Sequence, residues 1–421
     1  MTAEICMMNR LAVVLAADSA TTVSRWVDGK REERYFKGAN KVFQISDIQP
    51  VGLMIYDSAD ILNVPWELII KEFRHHIRDR SFNTVEEYAR ELVTYLSDNP
   101  KFFPIEIQNE KLVEASKGVI SEWIAEAVEG LKPEQFHDAV VKMLADKVGA
   151  IADLQVPECI DQNHGDKVAE ELSTEVEKAL LALAGLAGID DLDGSGDLAR
   201  AAIMEVICDP GFYLDTTGLV FAGFGDHEIF PGMVEYESQG LIGGKHIFQK
   251  KGAYNLDQHQ PAFLKAFAQT EMVDTFNAGF SFDAFSSVLA AMTASLTGFA
   301  EEVAQKSGGN FTAIDDVDSL IQGAQKKIST SIIDKARKEH SLPLRRVLGV
   351  LPANEMAELA ETLITLQSLK EKVTKPSETV GGPVDVAIIT KHEGLVWVKR
   401  KHFFDPALNS RFQLRQAAQH S

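Results

Sequence analysis

Cysteine is scarce in this chain: three in 421 residues, Cys6, Cys159 and Cys208. Three scattered thiols make no disulfide framework and have no metal-ligand spacing, so the pattern fits a reducing compartment. Basic charge is also short. Lys and Arg total 42 against 62 Asp and Glu, and the net charge of −20 excludes a general nucleic-acid binder, which needs a basic footprint. No run reaches the roughly 18–20 uncharged apolar positions of a membrane span. The N-terminus lacks the cationic stretch, apolar core and cleavage site of a secretory signal. These absences together predict a cytoplasmic protein with neither a membrane nor a nucleic acid as partner. Internal repeats and low-complexity linkers are missing as well. An apolar content of 45% is enough for a sizeable buried core.

Residues 3–8 and 11–17 read as a strand hairpin turning at Asn9-Arg10. The second strand, Leu-Ala-Val-Val-Leu-Ala-Ala, has no polar alternation, so both of its faces need cover. It ends at Asp18. Residues 25–40 are polar and suit a loop or an exposed ribbon. Lys41 to Ile45 and Val51 to Tyr56 read as two further strands, and Asp57-Ser58-Ala59-Asp60 as a turn into helix. From about 64 to 207 the apolar period becomes helical, as in Leu112, Ala115, Val119, Trp123 and Ala127. Thr84 followed by Glu87 is a capping box. Strand signals return at 218–222, 233–236 and 246–248. Helical patterns then fill most of 261–373, and 384–390 with 395–401 close the chain as a hairpin.

Strands at both ends and in the middle need one another, because an isolated pair is too small to stand alone. The pattern predicts a single α+β domain over 1–421: a four-layer αββα sandwich of two antiparallel sheets with large helical insertions. One insertion lies at about 64–207, with further helices at about 261–373.

Thr2 directly follows Met1, Asp18 ends the second strand, and Lys41 opens the third in Lys41-Val42-Phe43. This order resembles the proteasome β-subunit group of N-terminal nucleophile hydrolases, including the bacterial proteasome-like peptidases. Thr2–Ser19, Asn40–Asp60, 222–225 and 380–390 carry the resemblance. It implies that Thr2 is the catalytic nucleophile, with Lys41 tuning it and Asp18 fixing Lys41. The turn at Asp57 and Ser58 corresponds to the family's backbone oxyanion donor, without the expected glycine. Gly223-Phe224-Gly225 takes the place of the family's Gly-Ser-Gly, without the serine. Ser377, Glu378, Thr379 and Val380 precede Gly381-Gly382, where the family has an aspartate and a serine.

A threonine hydroxyl attacks only once a base takes its proton. An N-terminal threonine supplies its own α-amine, with a reference pKa of about 7.7–8.0 that a nearby cation lowers. Thr2 has the small side chain that methionine removal needs, and without that removal its nitrogen is an amide and no base. The expected activity is cleavage of a peptide or a small amide, with no cofactor and no metal. A non-catalytic scaffold subunit of the same fold is the alternative. The resemblance implies self-association under either reading and is compatible with an ATPase or other protein partner. Asp191 to Asp197 looks like half a calcium loop, but Ala202 stands where a glutamate ligand is required.

Overall fold

A computed structural model of the chain describes residues 2–27, 30–150, 154–186, 188–189, 192–306, 317–374, 380–411 and 413–414. The order opens with strands β1 (Ala3–Asn9), β2 (Ala12–Ala17), β3 (Ala20–Val27), β4 (Lys30–Lys37), β5 (Val42–Gln44), β6 (Val51–Asp57), β7 (Asp60–Ile61) and β8 (Val64–Pro65). Helices follow: α1 (Trp66–Ile77), α2 (Val85–Ser97), α3 (Ile105–Val128), α4 (Phe136–Ala150), α5 (Gln162–Leu186), α6 (Ser195–Cys208) and α7 (Pro210–Tyr213). Next come β9 (Thr217–Gly223), β10 (Gly232–Ile242), β11 (Lys245–Asn255) and β12 (Ala262–Ala268). Then α8 (Glu271–Ala278), α9 (Phe282–Lys306), α10 (Val317–Ala336), α11 (Leu342–Leu348) and α12 (Ala353–Thr374) precede the final hairpin, β13 (Asp385–Thr390) and β14 (Gly394–Lys399).

The protein is a mixed helix and strand fold with several antiparallel sheets. One five-stranded sheet has the order β12-β1-β2-β13-β14, and another the order β11-β10-β9-β6-β5. The all-apolar β2 divides its side chains by parity. Val13, Leu15 and Ala17 join a cluster with Met54, Val220 and Met233 of the other sheet. Val14 and Ala16 join Ala360, Leu363 and Ile364 of α12. A two-residue side-chain period delivers one strand to two cores, which is why no polar position interrupts it. The second sheet does the same. Leu53, Ile55, Leu219 and Phe221 face Trp66, Phe73 and Leu92 of α1 and α2.

The helices α3 to α6 hold a separate apolar core of their own, closed on one side by Ile242 and Ile247. The capping signal at Thr84 is realised, since its side chain accepts the Glu87 N–H at 3.3 Å. Glu87 reaches back one residue further than in the usual box, to the N–H of Asn83 at 2.9 Å. The polar stretch before Lys41 is a two-stranded ribbon, β3 with β4. The turn at 57–60 does not run straight into helix, because the short hairpin of β7 and β8 intervenes before Trp66.

One expectation fails in a way that bears on the site. Residues 262–268, which the sequence pattern assigns to a helical stretch, form β12, paired with all of β1 from Ala3↔Ala268 to Asn9↔Ala262. Ala, Leu and Lys are good helix formers, but the register with β1 overrides that local preference. A second expectation is qualified. Within α9, the segment Phe282–Val303 is long and apolar enough to cross a membrane, with a mean hydropathy of 1.2 and none of it buried. It carries Asp283, Glu301 and Glu302.

Candidate active site

The three residues singled out at the start of the chain meet at one point. Thr2 stands just before β1, Asp18 just after β2, and Lys41 just before β5, so two sheets contribute to the meeting. Lys41 Nζ donates to Thr2 Oγ1, and to Asp18 Oδ1 at 2.6 Å. Thr2 Oγ1 lies 2.7 Å from the same Asp18 oxygen. All three are buried, at 4%, 1% and 7% exposure for Thr2, Asp18 and Lys41. A lysine ammonium in so dry a place needs its carboxylate partner, because an unpaired buried charge costs several kcal/mol.

Backbone bonds fix each member. Asp18 N–H donates to Ala3 O at 3.1 Å, and Ala3 N–H returns a bond to Asp18 Oδ1 at 3.2 Å. The other carboxylate oxygen of Asp18 accepts the N–H of Gly381 at 2.6 Å, and Ser19 N–H donates to Gly381 O at 3.2 Å. Lys41 O accepts the Ile55 N–H at 2.9 Å, which anchors the lysine backbone to β6. Thr2 O accepts the N–H of Gln269, the first residue after β12, at 2.9 Å.

Thr2 and Lys41 line a cavity of about 700 Å³, together with Thr21, Asp57, Ser58 and Thr216 among others. Asp57 occupies the left-handed region at φ 66°, a conformation usually given to glycine but which aspartate tolerates. The two candidate oxyanion donors now separate. Ser58 N–H is committed to Thr216 O at 3.1 Å, on the β9 side of the strand. Ile55 N–H points the other way, to Lys41 O. Alternation along an extended strand sends the Asp57 N–H to the Ile55 side, beyond the end of β5, where the cavity opens. Of the two residues, Asp57 is the one whose N–H faces away from β9. Asp57 also lines the cavity, and partial desolvation raises its carboxyl pKa above the ordinary value.

Gly223-Phe224-Gly225 does not belong to this site. Gly223 pairs with Val51 at the far end of β6, whereas Thr217 pairs with Asp57 at the near end. Gly225 instead packs against the backbone of Asn83 and Thr84, where a Cβ would meet the Asn83 carbonyl oxygen at 2.3 Å. The segment beside Thr2 is Ala268-Gln269-Thr270, at the end of the strand that was not foreseen. Of the residues around Gly381-Gly382, Ser377 to Thr379 lie outside the described residues.

Sequence reasoning missed Glu4. It is fully buried, and its Oε1 lies 3.1 Å from Thr2 Oγ1. Burial raises its pKa well above the ordinary carboxylate value, with Lys41 opposing that shift and Asp18 adding to it. The signal was available, since a two-residue strand period puts residues 2 and 4 on one face. A second polar group between the sheets also went unseen. Tyr56 Oη donates to Glu235 Oε1 at 2.7 Å, and Lys265 Nζ pairs with Glu235 Oε2, joining β6, β10 and β12.

Among the described residues no group of three or more His, Cys, Asp or Glu side chains could hold a metal ion. No model of a protein family matches the chain, and no curated protein matches it either.

Proposed function

We propose that this chain is an N-terminal threonine amide-bond hydrolase, a proteasome-like peptidase built on a four-layer αββα sandwich. The observation that carries the reading is the convergence of Lys41 Nζ and Asp18 Oδ1 on Thr2 Oγ1 beside a cavity. Two apolar clusters on the outer faces of the sheets and one between them support the sandwich.

In this reading Met1 is removed and the Thr2 amine becomes the base for its own hydroxyl. Lys41 holds positive charge against Oγ1 and favours the developing alkoxide. Asp18, held by the backbone of Ala3 and Gly381, fixes the ammonium in place. Oγ1 attacks the carbonyl carbon, and the Asp57 N–H stabilises the oxyanion. The amine leaves with the proton, and water hydrolyses the ester on Thr2. The substrate is a peptide or a small amide.

A scaffold role is the second reading, favoured by the size of the separate core in α3 to α6. That block would then be an interaction surface in an assembly of such chains, or for an ATPase or other protein partner. Intact mass after treatment with a β-lactone decides between the two. The hydrolase reading expects loss of Met1, one adduct on Thr2, and none on Thr2→Ala. Protein from its native host that takes no adduct on Thr2 sinks it in favour of the scaffold.

A further inference from the structure

The Thr2 hydroxyl has one proton and two carboxylates within reach, and these two are not equivalent. Asp18 is already engaged. Its Oδ1 accepts from Lys41 Nζ and Ala3 N, and its Oδ2 from Gly381 N. Glu4 is not. Its Oε1 has Thr2 Oγ1 as hydrogen-bond partner at 3.1 Å, and its buried Oε2 has no partner among the described residues. A carboxylate oxygen left unsatisfied inside a protein is costly, by about 1–3 kcal/mol or more for a charged group. Such a group beside a nucleophile calls for a functional account.

Parity places it there. Glu4 follows Thr2 by two residues along β1, on the same face as Cys6 and Met8, which point between the sheets. Its β1 neighbours across the sheet are Ala17 on β2 and Phe267 on β12, neither of which is titratable. The charged groups that act on it are Lys41 before β5, Asp18 after β2 and Asp57 at the end of β6.

We infer that Glu4 is a second proton acceptor for Thr2 Oγ1, one that activates the hydroxyl even when the Thr2 nitrogen is still an amide. The inference rests on the threonine-hydrolase reading and adds to it a route that needs no free amine. In the attacking step the O–H bond of Thr2 breaks and its proton passes to Glu4 Oε1. The Oγ1–carbon bond forms as the carbonyl π pair moves to oxygen. Glu4 then gives the proton to the departing amine nitrogen as the C–N bond breaks, which restores its carboxylate and leaves an ester on Thr2. Hydrolysis runs the same exchange with water, whose proton returns through Glu4 to Oγ1. The acceptor is the ionised form, so this route strengthens as pH rises through the Glu4 titration and levels off above it.

The test compares two forms of the full chain with a β-lactone as probe. One retains Met1, produced in cells whose methionine aminopeptidase is inhibited, and the other has lost it. Intact mass and the rate of Thr2 acylation are followed across pH. The expected result is acylation of the Met1-retaining chain, at a rate that rises with pH to a plateau. Glu4→Gln should slow it about a hundredfold and flatten that rise. Acylation confined to the Met1-free chain overturns the inference and leaves the hydrolase reading standing, with the amine as sole acceptor. So does an unchanged pH profile in folded Glu4→Gln. No acylation of Thr2 in either form brings down both. Where Glu4→Gln does not fold, absence of acylation in the Met1-retaining wild type still overturns the inference.

Discussion

Gly381 donates its backbone N–H to Asp18 Oδ2 at 2.6 Å, across 363 positions of sequence. The bond ties the approach to β13 to the residue just after β2, and the two strands pair from Asp385↔Ala17 to Thr390↔Ala12. Gly382 makes the approach feasible. It has φ 83°, and a Cβ there would meet Ser19 Oγ at 2.6 Å and Lys37 Cβ at 3.0 Å. Gly382→Ala should cost about 1–2 kcal/mol from the left-handed backbone alone. It should also displace Gly381 from Asp18 and slow Thr2 acylation about tenfold. Thermal unfolding and the adduct rate measure the two effects. An unchanged adduct rate in a destabilised protein would show that Asp18 keeps its place without Gly381.

Lys41 has a structural and a chemical duty, and the two separate by measurement. Lys41→Ala leaves the Asp18 carboxylate buried without its cation, a change that typically costs about 3–5 kcal/mol. Double replacement, Lys41→Met with Asp18→Leu, removes both charges and should recover most of that stability. Acylation of Thr2 should fall by at least about a hundredfold in both variants, because neither leaves a positive charge at Oγ1. Denaturant unfolding gives the first comparison and intact mass the second. A double variant that labels at the wild-type rate would remove Lys41 from the chemistry.

The strand ends at Thr2, Asp18 and Lys41 are legible because the strand patterns are unambiguous, whereas their meeting is what the resemblance implies. β2 is apolar at every position, and β6 nearly so, so their ends are marked by the first charge. β12 was not legible. Its Ala262, Leu264, Lys265 and Ala266 favour helix locally, and only pairing with β1, some 250 residues earlier in the chain, makes them a strand. Losing that strand misplaced what stands beside Thr2. The resemblance sets Gly223-Phe224-Gly225 against a Gly-Ser-Gly beside the threonine, but the segment packs at the far end of β6. Glu4 was overlooked for a different reason. An acidic residue inside an apolar strand reads as an edge or surface position, and its burial follows from partners on three other elements.

Asp57 holds φ 66° where glycine is the residue of least strain. If only its N–H serves the oxyanion, Asp57→Gly should keep acylation within about threefold of wild type, since the backbone donor survives. Stability should change by less than about 1 kcal/mol, because relief of the left-handed strain opposes the entropy that glycine adds to the unfolded chain. Asp57→Val tests the strain from the other side. A β-branched residue at positive φ should lower the melting temperature and distort the donor together. A large rate loss in Asp57→Gly, with normal stability, would assign the carboxylate itself a part in substrate binding.

His246 provides a pH test that is independent of the active site. It is buried on β11, its Nε2 is 2.8 Å from Ser238 Oγ, and its Nδ1 has no partner among the described residues. The rings of Phe248 and Phe103 lie 3.9 Å and 6.2 Å away, centroid to centroid. Burial pushes its pKa down from 6.5 to about 3. The unfolded chain therefore takes up a proton near pH 6.5, and the folded chain does not until about pH 3. Between those values the unfolded state binds more protons, so stability is lost as pH falls, at up to about 1.4 kcal/mol per pH unit from this one group. Carboxylates contribute their own slopes, so the comparison is with the double variant His246→Phe, Ser238→Ala, which removes both polar partners at once. Between pH 6.5 and 4 the wild type should lose about 3 kcal/mol more than the variant by denaturant unfolding. Equal losses would mean that His246 is protonated inside the folded protein, with its Nδ1 satisfied.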